Sequence, residues 1–337
     1  MLVDTILEQR TKVVIGDAIS YDDLLAPFRS RLLNAEVYVM DADAVAMAAN
    51  VSLSRPSSIL AALSWLRLPH DSIWLEFSNE DLSRAMADLG SPNVRPRNTM
   101  GRLKRSGFLL RKEVDGISFE YVHDMAVTGS SDVAELASLR GFYDLSGIGS
   151  LTSESAVHIR SASPAAAGKV RQSLDLLARD SMEAGANLEI AGRLDFKNHQ
   201  DMLPGIEALR SAGRNVERLQ ADWESEIRRL FLMLCLPSLL LINTRNAVSL
   251  EPGPSLEKIN KKRTRMGRRP LVEHIVVKLH LTAGQKRAAR ISSGGEKAIR
   301  GTLVAGHFKV RKTGIFWWSP HARSGYGAVT RTTIVTR

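Results

Sequence analysis

Between Gly306 and Gly325 the chain reads GHFKVRKTGIFWWSPHARSG, which gathers His307 and His321, the cations Lys309, Arg311, Lys312 and Arg323, and the adjacent pair Trp317 and Trp318. Three roles fit that set. Two histidines flanked by cations can cleave RNA without a metal: one takes the 2′-hydroxyl proton, the other protonates the leaving oxygen, and Lys309 and Arg311 stabilise the charge on the phosphorane. The same cations can track phosphates while Trp317 or Trp318 stacks on bases, which is binding without a reaction. In the third role the tryptophans pack a hairpin against the rest of the molecule and the histidines bond to backbone groups.

The elements that position these residues follow from side-chain alternation. As a strand, TLVAGHFKVR puts Thr302, Val304, Phe308 and Val310 on one face and Leu303, His307, Lys309 and Arg311 on the other. RKTG supplies a turn in which Gly314 suits a positive φ, and IFWW returns as the partner strand. Neighbouring strand residues point opposite ways, so at least one of the two tryptophans is expected to be buried. Pro320 cannot donate to a ladder and is expected to end the pairing. His321 and Arg323 then emerge just beyond, with His321 within roughly 10 Å of His307 if the hairpin is regular.

A second basic segment lies upstream. SLEKINKKRTRMGRRP carries Lys258, Lys261, Lys262, Arg263, Arg265, Arg268 and Arg269 and reads as a short helix capped by Ser255. Folding so much positive charge costs self-repulsion unless an anion lies nearby, which favours a phosphate-facing role over a solvated linker. LVEHIVVKLHL reads as a strand, and TAGQKRAARISSGGEKAIRG as a loop adding five more bases.

Charge is distributed as unevenly as these segments suggest. From Ser255 onward there are 19 Lys or Arg against three acids, a net of +16, whereas the preceding 254 residues hold 27 bases and 33 acids, a net of −6. A mildly acidic body with a strongly basic tail points to a polyanionic partner, most often nucleic acid. A basic domain can also engage an acidic face of another protein, so a host protein stands as a second class of partner.

Other chemistries lack their residues. There is no Walker-type glycine loop, no GxSxG, no HExxH and no paired-cysteine metal motif, and Cys235 is the only cysteine. Asp41 and Asp43 have no downstream partners to complete a metal loop. His70, His123, His158 and His199 are isolated. No metal and no cofactor is expected. The acid-containing N-terminus MLVDTILEQRTKVVIGDA reads as carrying no signal peptide. The most apolar run, LFLMLCLPSLLLI, is thirteen residues with Pro237 inside it. A membrane span needs about 20, so a buried helix is expected and no membrane partner. With one cysteine, the chain suits a reducing cytoplasm. The residues say nothing of oligomeric state.

For the fold, residues 1 to about 65 show helical spacing. Ser72 to Phe77 reads as a strand, SNEDLSRAMADLG as a helix, and RSGFLLRKEVDGISFEYVH as a hairpin turning at Asp115 and Gly116. The middle reads as helical, including SPAAAGKVRQSLDLLARDSMEAGAN and NVERLQADWESEIRRLFLMLCL, whose Val216, Leu219, Trp223, Ile227 and Leu230 share one face. The expected class is α+β, in three parts: residues 1–130 with a small mixed sheet, a helical region 131–250, and a basic, antiparallel β-rich domain 251–337.

The segments LEKINKKRTRMGRRPLVEH and RGTLVAGHFKVRKTGIFWWSPHARSG resemble a group of uncharacterised proteins encoded by tailed bacteriophages and by prophages of proteobacteria. That group shares an LNKxRxxxGxxPL segment and a closing GHFxxRxTGxxWWxPHxRG. Gly306, His307, Phe308, Arg311, Gly314, Trp317, Trp318, Pro320, His321 and Arg323 match the closing pattern, and Ser324 is an insertion before Gly325. The resemblance brings no activity with it. What it implies is a phage or prophage setting, a cytoplasmic protein of the bacterial host, and nucleic acid as the material acted on.

Overall fold

The computed structural model describes residues 1–8, 14–15, 19–54, 56–88, 103–125, 133–146, 193–280, 300–304, 306–318 and 321–328. Side chains are not described at the edges of several of these segments, including all of 300–304 and 321–328. The expected helix SPAAAGKVRQSLDLLARDSMEAGAN lies outside the described residues.

The fold is α+β, built on one large mixed sheet. After a two-residue ribbon, β1 (Val14–Ile15) with β2 (Ile19–Ser20), the sheet strands are β3 (Glu36–Met40), β4 (Ser72–Ser78), β5 (Leu103–Lys112), β6 (Gly116–Met125), β7 (Val133–Asp144), β8 (Arg193–Asn198), β9 (Val248–Pro252) and β10 (Ile275–Leu279). They lie in the order β8-β7-β6-β5-β4-β3-β10-β9. β3 runs parallel to both β4 and β10, and the remaining neighbours are antiparallel. The small N-terminal sheet expected from the sequence is thus an eight-stranded one, with strands drawn from residues 36 to 279. The segment read as helical contributes β7, β8 and β9 to it.

Helices cover both sheet faces. On the first lie α3 (Ala42–Ser54), α4 (Pro56–Ala62), α5 (Asn79–Asp88), α7 (Val216–Leu230), a π-helical turn Phe231–Cys235, and α8 (Leu236–Asn243). Their core includes Tyr38, Leu75, Phe108, Phe119, Phe231 and Leu240, with Phe119 stacked on Phe231 at 4.1 Å between ring centroids. The apolar run with Pro237 is this buried layer, and Trp223 packs at its rim, stacked on His123. No described helix is long and apolar enough to cross a membrane. On the second face, α1 (Leu2–Glu8), α2 (Tyr21–Leu33) and α6 (Leu203–Ser211) enclose Ile6, Phe28, Val37, Trp74, Leu109 and Ile206.

Local signals explain several elements and correct two. Ser78 Oγ accepts the Asp81 amide at 3.2 Å and caps α5. Asp41 accepts the Ala44 amide at 2.7 Å, so its carboxylate opens α3. The β5–β6 hairpin turns one residue earlier than expected: the Glu113 amide bonds to the Gly116 carbonyl, leaving Val114 and Asp115 at the tip. Gly116 is needed for a different reason than the turn, since a Cβ there would sit 2.1 Å from the Tyr143 carbonyl oxygen on β7. Gly107 likewise leaves room for the Trp74 ring, which a Cβ would meet at 2.1 Å.

Two buried carboxylates tie the second face to its helices. Glu76, fully buried on β4, accepts hydrogen bonds from the amides of Leu2 (2.8 Å) and Val3 (3.1 Å), from Trp74 Nε1 (3.0 Å) and from Arg105 Nε. Glu120 on β6 lies 2.8 Å from Arg31 Nη2, 3.3 Å from Arg111 Nη2 and 3.0 Å from His199 Nε2. Burial pushes the Glu120 carboxyl up, but the hydrogen bonds from His199 and Arg31 and the Arg31 charge outweigh it and hold it below the ordinary carboxylate range. A folded-state pKa below the unfolded one gives stability that is present above the unfolded value, about 4.3 for Glu, and is lost as pH falls through the folded value. Denaturant midpoints measured from neutral pH downward are therefore expected to drop at acid pH, and Glu120→Gln to remove part of that dependence while lowering stability at neutral pH. An acid limb identical in Glu120→Gln would show that this carboxylate contributes nothing to it.

Candidate nucleic-acid interface

Past the sheet the chain forms two two-stranded β-ribbons. β12 (His307–Arg311) pairs with β13 (Gly314–Trp318), closing at Arg311 opposite Gly314, and β11 (Arg300–Val304) pairs with β14 (His321–Ala328). Lys312 and Thr313 form the tip, and Gly314 takes a φ of 138°, in the region that favours glycine. The β12–β13 ladder ends with His307 opposite Trp318, Pro320 lies outside the described residues, and in the β11–β14 pair the Cα partner of His321 is Val304.

Alternation gives the hairpin two unlike faces. Phe308 (3% exposed), Ile315 (1%) and Trp317 (4%) are buried in the first-face core, where β12 meets α4, and Phe308 meets Trp317 edge-on at 5.3 Å. The turn before β9 secures this face. Asn246 brackets Trp317, donating to its carbonyl at 2.9 Å and accepting its amide at 2.7 Å, and the Arg245 amide donates to the Ile315 carbonyl at 3.4 Å. One amide side chain thus fixes the strand register that decides which tryptophan is buried.

The other face carries the row His307, Lys309 and Arg311, interleaved with Phe316 and Trp318. Trp318 is 38% exposed. The Lys309 ammonium lies 4.0 Å from the Trp318 ring centroid, His307 lies 6.1 Å from it, and the Arg311 guanidinium lies 6.0 Å from Phe316. Opposed strands explain these pairs: His307 faces Trp318 directly, Lys309 faces Phe316, and Lys309 reaches Trp318 on the diagonal. Cations over aromatic faces gain about 0.5–1 kcal/mol at exposed sites, so the row is biased toward this arrangement yet can rearrange at small cost.

The second basic segment is helical, as its sequence suggested: α9 (Glu257–Arg265). It begins at Glu257 with no side-chain cap, so Ser255 does not serve as one. Asn260 clamps both backbone groups of Leu271, at 2.7 and 3.1 Å, and Arg263 pairs with Glu8 of α1 and donates to the Arg269 carbonyl at 2.8 Å. Lys261 pairs with Glu257 at 2.7 Å. Lys258, Lys262, Arg265 and Arg268 are exposed, and among the described residues none has an acidic partner. Arg269 is half-buried.

The candidate residues therefore separate into groups. His307, Lys309, Arg311, Lys312 and Trp318 share the outer face and tip of the hairpin; Lys258, Lys262, Arg265 and Arg268 are exposed on a helix and its following turn. Trp317, Arg263 and Lys261 are engaged by the protein itself. The side chains of His321 and Arg323 lie outside the described residues, so the proposed histidine pair is placed only by its backbone: His307 opposes Trp318, and His321 follows three positions later. Phe316, Arg245 and Asn246 join the site without having been singled out. Nothing near Asn246 in the sequence marks it, because its partner is 71 residues away. Among the described residues no group of His, Cys, Asp or Glu is placed to hold a metal. Comparison of the chain with family models, with curated proteins and with solved structures finds no match in any of the three.

Proposed function

We propose that this is a nucleic-acid-binding protein that acts through its basic C-terminal segment, in the phage or prophage setting its closing pattern resembles, with RNA or single strands preferred. The observation that carries the reading is the outer face of the ribbon, where an exposed indole lies in line with a histidine, a lysine and an arginine. Single strands are held by aromatic stacking combined with cations that follow the backbone. Trp318 supplies a stacking surface, and Lys309, now over that indole, is free to swing onto a phosphate when a base takes its place. Trp317, Phe308 and Ile315 hold the platform rigid from behind.

Fluorescence anisotropy with a labelled, unstructured single strand tests this. Trp318→Ala is expected to weaken binding by about 1–3 kcal/mol, roughly five- to 150-fold, and Trp318→Phe to retain most of it. Because Trp318 is exposed, the fold should survive, and an unchanged far-UV spectrum and denaturant midpoint check that. Equal affinity for wild type and Trp318→Ala would remove the stacking role.

A further inference from the structure

The two basic surfaces do not adjoin. The ribbon docks on the first face of the sheet, through α4 and the turn at 244–247 that leads into β9. α9 docks beside α1 at the second face: Arg263 meets Glu8, the Val272 amide donates to Asp4 at 2.9 Å, and Val272 packs on the second-face core. β9, the outermost strand, joins the two, with the ribbon's anchor before Val248 and α9 after Pro252. At about 3.4 Å per residue the four steps from Val248 to Pro252 carry the chain about 14 Å along the edge between the two attachment points, which lie on opposite faces.

We infer that one single strand of nucleic acid engages both surfaces, passing from the ribbon around the β9 edge to α9. This rests on the nucleic-acid reading and specifies its ligand: a single strand long enough and supple enough to round a sheet edge. Duplex DNA has a persistence length of about 50 nm and does not bend over that distance at low cost. On α9, Lys258, Lys262 and Arg265 fall at i, i+4 and i+7, a row of cations along one side. The opposite side is fixed to the body through Asn260 and Arg263. Ile259 (50% exposed) and Met266 (58%) accompany the row, but Lys262 and Arg263 fall between them. An anionic lipid surface would need an unbroken apolar stripe, so phosphates of a strand are the better match. Exposed Arg245, at the ribbon end of β9, lies near the start of that path.

The test uses the full chain, wild type and the triple variant K258Q/K262Q/R265Q, with oligothymidylates of about 6 nucleotides, near the lower end of single-strand site sizes, and about 30, well beyond their upper end. The triple variant is expected to bind the long strand at least tenfold more weakly, with a log–log salt slope shallower by about 2, and to bind the short strand as wild type does. Equal loss at both lengths would mean one continuous surface, and no loss at either would mean that α9 touches no phosphate; each overturns the inference. Wild-type binding to phosphatidylserine vesicles that the triple variant loses, without any change in long-strand binding, would assign α9 to lipid instead. Failure of wild type to bind either strand would sink the nucleic-acid reading itself, a result distinct from the others.

Discussion

Glu76→Leu will destabilise the fold by several kcal/mol, the largest loss expected from any single substitution on the second face. The carboxylate is buried and receives four donors: two amides from the first turn of α1, the Trp74 indole and the Arg105 guanidinium. The amides of a helix's first turn have no partners within the helix, and each buried donor left unsatisfied costs about 1–3 kcal/mol. Removing one member of a fully buried ion pair typically costs about 3–5 kcal/mol, and the loss here falls below that because the Arg105 side chain is 30% exposed and its charge stays partly solvated. Leucine matches the size but accepts nothing. Against a total stability of about 5–15 kcal/mol for a typical protein, such a loss should be plain in urea denaturation, and α1 should show it first in hydrogen exchange. Glu76→Gln keeps one acceptor but turns an amide NH₂ toward donors, so it should fall between wild type and leucine. A leucine variant within about 1 kcal/mol of wild type would mean that α1 is held by its apolar face alone.

The second large effect is ionic strength. Arg311, Lys312, Lys258, Lys262, Arg265 and Arg268 are exposed and Lys309 is half-buried on the two surfaces, and each phosphate they neutralise releases a counterion. Single strands give a log–log slope of about −0.7 per contact, so six or more contacts imply a loss on the order of 10³ in affinity between 50 and 200 mM salt. The acidic body sharpens the contrast, because outside the C-terminal segment the net charge is −6. Affinity constant across that range would show that these cations meet no phosphate, whatever else binds there.

The local parts of this structure were readable from the residues, and the long-range ones were not. β4, α5, the β5–β6 hairpin, α9 and the two-faced hairpin each rest on neighbours in sequence: a capping serine, a turn, alternation of polar and apolar residues. β3 sits between two parallel neighbours with Val37, Tyr38 and Met40 buried on both faces, so EVYVM has no alternation to reveal it amid helical surroundings. The pairing of β6 with β7 shifts register between Glu120 and Val122, which blurs the period along VAELASLRGFYD. The size of the sheet depended on β10 crossing back to lie beside β3, more than 230 residues earlier, a pairing that no local pattern announces. In the candidate site, alternation required one tryptophan to be buried; that it is Trp317 follows from Asn246 and the α4 surface, both distant in sequence. The clusters around Glu76 and Glu120 were equally hidden, since isolated acids on strands become informative only once their arginine and histidine partners are brought across the sheet.

The most direct measurement is photo-cross-linking of a bromouracil-substituted single strand to the full-length protein, with the attachment site identified by mass spectrometry. An adduct is expected on the peptide that contains Trp318, abolished by Trp318→Ala and competed by unlabelled strand. A competable adduct confined to the acidic body, with the ribbon and α9 peptides unmodified, would contradict it.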